Sequence, residues 1–371
     1  MSATYWNPEA RGWRSDRLAG VIAFHRSLPG YAATRSVDAP ALAAELGVGR
    51  VVVKEESARL GLPAFKILGA AYAISRALSA GFGSPDRALP LDELRAAVAD
   101  AGGRPVRLVA ATDGNHGRAV AHTARLLGLP AQIWFPDTLS AEAKQAIADE
   151  GAETVELAIP YDDVVHAATT SAQDAGPDAM LVQDTAWPGY EEIPQWIVDG
   201  YSTLFEEADA QLTELGVTDL DLVAVPVGVG SLAQAAVRHY RSGVGAPIVL
   251  SVEASAAPPI IESLHRGEPV SVPTSVTVMS GLNCGTVSGN AWPILHAGLD
   301  AAVTVDEDAA IRAVHDLEAL DIDSGPCGAA TLAGVRTLLA DDRSRAALGP
   351  DSTVLLLSTE GRLANPLPAG R

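Results

Sequence analysis

Short, unbroken apolar runs recur along this chain: Arg50–Lys54, Arg107–Ala111, Ala131–Phe135, Thr154–Leu157, Asp221–Val227, Ile248–Glu253 and Thr353–Ser358. A strand with one wet face alternates polar and apolar residues, so continuous runs predict strands buried on both faces of a parallel sheet. Ala- and Leu-rich helical stretches separate them, at Gly69–Ala80, Gly117–Leu127, Ala141–Glu150, Tyr161–Asp174, Glu192–Leu215, Leu232–Arg241 and Asp308–Leu320. Repeated strand–helix alternation predicts an α/β fold whose right-handed crossovers gather loops at the carboxyl ends of the strands. Residues 81–106 are rich in Gly, Pro and Asp and read as a connector with one helix near Leu91–Ala101. Pro258–Ser288 reads as a long loop with a short helix near Ile260–Arg266, and long loops in compact domains tend to be functional. At 371 residues the chain exceeds what one core usually supports, so two subdomains are expected.

Acids outnumber bases 46 to 26, a formal charge of −20. Phosphate neutralisation needs Lys and Arg, so nucleic acid and acidic membrane are excluded as partners. An anionic ligand must be held by local backbone donors. Cys284 and Cys327 are the only cysteines, too few for a disulfide framework and without zinc spacing; two reduced thiols and no metal are expected. No apolar run reaches membrane-spanning length, and the first residues lack a basic flank ahead of an apolar stretch. A cytoplasmic protein is the expectation.

Four loops carry more than the turning of the chain requires. In Gly61–Ala70, Lys66 stands between Phe65 and Ile67, just before a helix. Apolar surroundings strip hydration from an amine and make its neutral form more accessible, the condition for Schiff-base chemistry; a lysine snorkelling from a helix start is the plain alternative. Thr112-Asp113-Gly114-Asn115-His116-Gly117 opens a helix after the run Arg107–Ala111. Its outward amides suit a carboxylate or phosphate, Asn115 could reach a phenolic oxygen, and Thr112 or Asp113 equally suits an N-cap. Gly228-Val229-Gly230-Ser231-Leu232 is a strand-to-helix turn suited to a phosphate, without the third glycine of a dinucleotide fingerprint or the lysine of a P-loop. Ser358 closes the last run, where a hydroxyl could meet a ring nitrogen or simply make a turn.

One lysine, one anion loop, one phosphate turn and one hydroxyl together match what pyridoxal phosphate requires. In these segments, and in Val182–Pro194 and Met279–Gly285, the sequence resembles the fold type II pyridoxal-phosphate enzymes, the tryptophan-synthase-β and threonine-dehydratase group. Within that group it is most similar to the diaminopropionate ammonia-lyases. The resemblance implies two three-layer α/β/α subdomains with the cofactor in the cleft between them: a large one of residues 1–75 and 187–371, and a small mobile one of 76–186.

It also implies roles. Lys66 holds the cofactor covalently beside Phe65 and then acts as a base. Asn115 meets the cofactor's phenolic oxygen, Gly228 through Leu232 its phosphate, and Ser358 its pyridine nitrogen. Thr112, Asp113, Gly114 and His116 line the substrate. Asp113 distinguishes the lyase, since an acid there can pair with the ammonium of a diaminopropionate side chain and serve as base for the D-isomer as Lys66 serves the L-isomer. Asp184 is the third catalytic candidate, expected to raise the Asp113 pKa by like-charge repulsion; a strand-end cap is its alternative. Lys66 is preferred to His116 as proton donor to the departing amine. Trp187 and Tyr190 read as core packing or an entrance lining. The implied activity is β-elimination of ammonia from 2,3-diaminopropionate by a cytoplasmic homodimer. The competing readings are a serine or threonine dehydratase of the same fold and a non-catalytic pyridoxal-phosphate binder.

Overall fold

The computed structural model describes residues 4–16, 18, 20–100, 106–243, 247–341 and 345–368. Its strands are β1 (Thr4–Trp6), β2 (Ser36–Asp38), β3 (Arg50–Glu55), β4 (Arg107–Ala111), β5 (Ala131–Pro136), β6 (Glu153–Leu157), β7 (Ala179–Leu181), β8 (Leu222–Pro226), β9 (Ile248–Ala254), β10 (Ala301–Val305) and β11 (Thr353–Ser358). The chain divides into two units: one of Met1–Ala19, Ala33–Phe65 and Ser202–Arg371, the other of Gly20–Ala32 and Lys66–Tyr201. The resemblance put the divisions near residues 75 and 186. The helix Lys66–Gly81 packs along its length on the helix Glu192–Gly200, and both go with the smaller unit.

The first unit is built on a seven-stranded sheet in the order β1-β10-β9-β8-β11-β3-β2. Its five inner strands are parallel; β1 and β2 close the edges antiparallel. The inner strands carry unbroken apolar runs because both faces are covered, and Val51, Val52, Val53 and Val354–Leu357 are wholly buried. The helix Pro326–Leu339 lies on this sheet with nearly every residue buried. A Cβ at Gly334 would collide with Val252, so the glycine permits this close approach. That helix and β10 fall outside the expected elements, because a helix apolar all round shows no amphipathic stripe.

The second unit is a four-stranded parallel sheet in the order β6-β5-β4-β7. The helix Tyr161–Ala175 covers it through Val164, Ala168 and Ala172, spaced four apart on one face. The expected single helix Glu192–Leu215 is two, Glu192–Gly200 and Ser202–Glu214, separated at Tyr201. Gly69 and Gly200 mark where the helices Lys66–Gly81 and Glu192–Gly200 cross. A Cβ at Gly200 would stand 2.5 Å from the Leu68 carbonyl, and one at Gly69 2.6 Å from the Tyr201 ring. Both cysteines are free thiols. Among the described residues, no helix is long and apolar enough to cross a membrane, and no group of His, Cys, Asp and Glu could hold a metal.

Candidate active site

In the smaller unit, Lys66 opens the helix Lys66–Gly81 and its Nζ donates to Asp184 Oδ2 at 2.5 Å. The lysine side chain keeps 22% of its surface exposed, Asp184 9%. Burial works against the ammonium, but the charges of Asp184, Tyr201 and Asp113 and the Asp184 hydrogen bond outweigh it, and the pKa is raised. The expectation of a more accessible neutral amine is therefore reversed, because a carboxylate sits where hydrocarbon was expected. Burial opposes the Asp184 charge as well, yet Lys66 and His116 bring its carboxyl down to about 2. Asp184 thus spends its charge on Lys66. Tyr201, fully buried, acts on the same amine; burial lifts its phenol pKa, with the Lys66 charge and hydrogen bond pulling it back. Nothing in the local sequence singled Tyr201 out, since only the Gly69–Gly200 crossing brings it there.

His116 Nε2 lies 2.7 Å from the Val182 carbonyl, which requires the proton on that nitrogen. Its Nδ1 is buried without a hydrogen-bond partner, 3.9 Å from Asp184 Oδ2. Burial, first, holds its pKa below the ordinary value. With Nε2 donating and the pKa below its ordinary value, Nδ1 is left as an acceptor.

The Thr112–Gly117 loop is shaped by its own side chains. Thr112 Oγ1 accepts from the amides of Gly114 and Gly117, each at 2.9 Å, and so reaches the helix start, whose N-cap position is Gly114 rather than Thr112 or Asp113. Gly114 sits at φ 140°, ψ −85°, a backbone that side chains rarely adopt. Asn115 follows as the first helical residue. Gln183 Oε1 accepts from the Ala111 amide at 3.1 Å, and the Tyr190 hydroxyl accepts from the Gln183 amide and donates to the Leu181 carbonyl, both at 2.9 Å. Tyr190, stacked on Trp187 at 4.5 Å, is therefore a clamp on the segment that carries Asp184.

In the larger unit, the turn Gly228–Leu232 joins β8 to the helix Ser231–Tyr240. A Cβ at Gly228 would lie 3.0 Å from Cys284 Sγ and from the Gly281 carbonyl. Gly230 has φ 103°, and a Cβ there would come within 3.0 Å of Ala291 and Leu295. The turn is thus a cradle at a helix N-terminus in which Gly228 and Gly230 leave no room for side chains, with Ser231 buried at its mouth. Ser358 is fully buried at the end of β11, and its hydroxyl pairs with that of Ser324 at 2.8 Å. The Phe65 amide donates to the Thr359 carbonyl at 3.1 Å, and the Glu56 amide to the Ser358 carbonyl at 2.8 Å. The residue before Lys66 is thereby tied to the residue after Ser358. Taken each within its own unit, an amine nucleophile in the smaller and, in the larger, an amide cradle that side chains would fill and a buried neutral hydroxyl are groups of the kinds that pyridoxal phosphate needs.

Comparison with known proteins agrees with that chemistry. A model of the pyridoxal-phosphate dependent enzyme family matches residues 28–360. The chain is 36% identical over 355 residues to the diaminopropionate ammonia-lyase of Escherichia coli K12, covering 91% of this chain and 86% of that protein. To the diaminopropionate ammonia-lyase of Salmonella typhimurium it is 34% identical over 357 residues, covering 92% and 88%. The crystal structure of the Escherichia coli lyase in complex with D-serine is similar with a TM-score of 0.88 at 32% identity, covering 97% of this chain and 94% of that one.

Proposed function

The chain belongs to the pyridoxal-phosphate dependent enzymes, and on that premise we propose that it is a carbon–nitrogen lyase that eliminates ammonia from 2,3-diaminopropionate. The products are pyruvate and ammonia, two of the latter for each substrate and water consumed. The observation that carries the reading is the amine of Lys66 held by Asp184 with the Asp113 charge acting on it as well. Two carboxylates at one amine can receive a substrate whose side chain ends in an ammonium; a hydroxyamino acid offers them no charge to pair with.

Pyridoxal phosphate, when bound, supplies the electron sink that lets the Cα–H bond break. Lys66 would hold it covalently, with Phe65 beside the anchor. Asn115 would serve its phenolic oxygen, and Gly228, Val229, Gly230, Ser231 and Leu232 its phosphate. Ser358 would serve the ring nitrogen. Lys66 takes the Cα proton of the L-isomer, and Asp113 that of the D-isomer. The β-amine can leave only as ammonia, so the protonated Lys66 delivers the proton. Thr112, Gly114 and His116 orient the substrate, His116 accepting a hydrogen bond at Nδ1. The same reading carries a homodimer and a cytoplasmic location, which sedimentation and cell fractionation test.

Pyruvate release from D- and L-diaminopropionate, L-serine and L-threonine is the direct measurement. Diaminopropionate turnover well above that of the hydroxyamino acids is expected, with borohydride fixing the cofactor on Lys66. Asp113→Asn should lose D-activity and keep part of the L-activity. Preference for serine or threonine would convert the reading to a dehydratase, and an absorption spectrum indifferent to diaminopropionate would convert it to a binder without turnover.

A further inference from the structure

Glu253, near the end of β9, is fully buried, and its two carboxyl oxygens accept from the amides of Ile260 and Ile261 at 2.7 and 2.8 Å. These amides belong to the first turn of the helix Pro259–Arg266, where no partner exists within the helix. Ile260 carries the contact onward. Its Cδ1 stands 3.5 Å from where a Cβ at Gly230 would be, beside Ala291 and Leu295. The Val227 amide donates to the Val252 carbonyl at 2.8 Å, which ties the strand carrying Glu253 to the residue before Gly228. One carboxyl thus backs the turn Gly228–Leu232 by two routes, all within the larger unit.

The helices around Glu253 carry Arg238, His239, Glu262, His265, Arg266 and His296, and the flanking strands β8 and β10 carry no charge. Burial first, and then the Glu262 charge, favour the proton over the two amide bonds, and the carboxyl is pushed up to about 8. A protonated carboxyl keeps a lone pair free on each oxygen, so it still accepts both amides.

We propose that Glu253 is a positioning residue for the cofactor phosphate, bracing the turn Gly228–Leu232 through Ile260. The proposal rests on the placing of the phosphate at that turn given above, and it adds the residue that holds the turn from behind. As a neutral acid, Glu253 braces the turn without setting a second negative charge behind a dianion. Ionised, it keeps the brace and repels the phosphate.

The test uses the full chain and reads the ratio of its dissociation constants for pyridoxal phosphate and for pyridoxal, which lacks the phosphate. Glu253→Gln keeps the shape but turns an amide donor toward one of the two helix amides. It should weaken pyridoxal phosphate about fivefold, the scale of one neutral hydrogen bond, leave pyridoxal unchanged and move the phosphorus signal of the bound cofactor. Glu253→Ala should weaken it further, and the glutamine variant decides if the alanine variant does not fold. Ile260→Ala should reproduce the loss. Above about pH 8 the wild-type preference for the phosphate form should fall, and in Glu253→Gln it should stay level. A lower melting temperature with the ratio and the phosphorus signal in place, the mark of a merely structural role, overturns the proposal. So does an equal weakening of both ligands, or an alkaline fall that persists in Glu253→Gln. Ser231→Asp, which puts a charge at the mouth of the turn, should abolish the preference for the phosphate form; a preference unmoved there overturns the placing of the phosphate itself.

Discussion

Two lysines in apolar stretches, Lys54 and Lys66, have opposite fates. Lys54 stands at the end of β3 with no exposed side-chain surface, and its three protons go to the Thr34 carbonyl at 2.7 Å and to Glu207 Oε2 and Gln211 Oε1 at 2.9 Å each. Arg59 completes the cluster, with five hydrogen bonds to Glu56, Glu207 and Thr34 between 2.7 and 3.0 Å. Two cations meet two carboxylates there, and burial, the largest influence, lowers the Lys54 pKa against their pull. Lys66 keeps part of its side chain exposed, and the carboxylates that act on it exceed its own charge. Burial and an apolar neighbourhood describe both lysines. Only accessibility and an unbalanced charge mark Lys66, the one proposed to react.

The largest effect expected from this contrast is on Lys66→Ala. Activity should fall a thousandfold or more, the scale for losing a covalent catalyst, while the stability lost is that of the Lys66–Asp184 pair, roughly 2 kcal/mol. Lys54→Met should do the reverse, and a Lys54→Met protein that is stable but inactive would break the comparison. Arg59→Met, which leaves Glu56 and Glu207 buried without their partner, should cost about 3–5 kcal/mol in urea unfolding.

Next comes pH. Asp184 has a depressed carboxyl pKa, so its stabilisation is present above the ordinary value of 3.8 and is lost as pH falls toward about 2. That loss is roughly 2 kcal/mol. Asp184→Asn should flatten the acid limb of the stability curve over this window. The raised Lys66 pKa acts on the alkaline side, its stabilisation present below 10.5 and lost only at higher pH. Without Asp184 the amine deprotonates more readily, so the variant should also take up pyridoxal phosphate faster near neutrality. A loading rate unchanged from wild type would show that the pair does not restrain the amine. The smallest effect belongs to Tyr190→Phe. It leaves the Gln183 amide and Leu181 carbonyl without the hydroxyl and should cost about 1–2 kcal/mol, with kcat reduced more than stability alone explains if the clamp holds Asp184 in place.

The α/β architecture was legible because the inner strands of both sheets are unbroken apolar runs, and the loops at their carboxyl ends were legible because glycine and hydroxyl residues there serve no packing purpose. The helix Pro326–Leu339 was not legible, being buried on every side. The break at Tyr201 escaped because it follows from a crossing of two helices, which one helix's sequence does not encode. The ion pair of Asp184 with Lys66 was not foreseen: like-charge repulsion can be guessed from two nearby acids, whereas this pair needs the fold. Ser324 lies among small residues before a proline, and no spacing rule links it to Ser358.

The meeting of Gly69 and Gly200 has a practical corollary. A single methyl at either position would push on Tyr201 or on the Leu68 carbonyl, so Gly69→Ala and Gly200→Ala are natural candidates for conditional alleles, functional in the cold and silent when warmed. Two atoms of hydrogen, one on each glycine, would then govern whether the catalyst can be switched off by a thermostat.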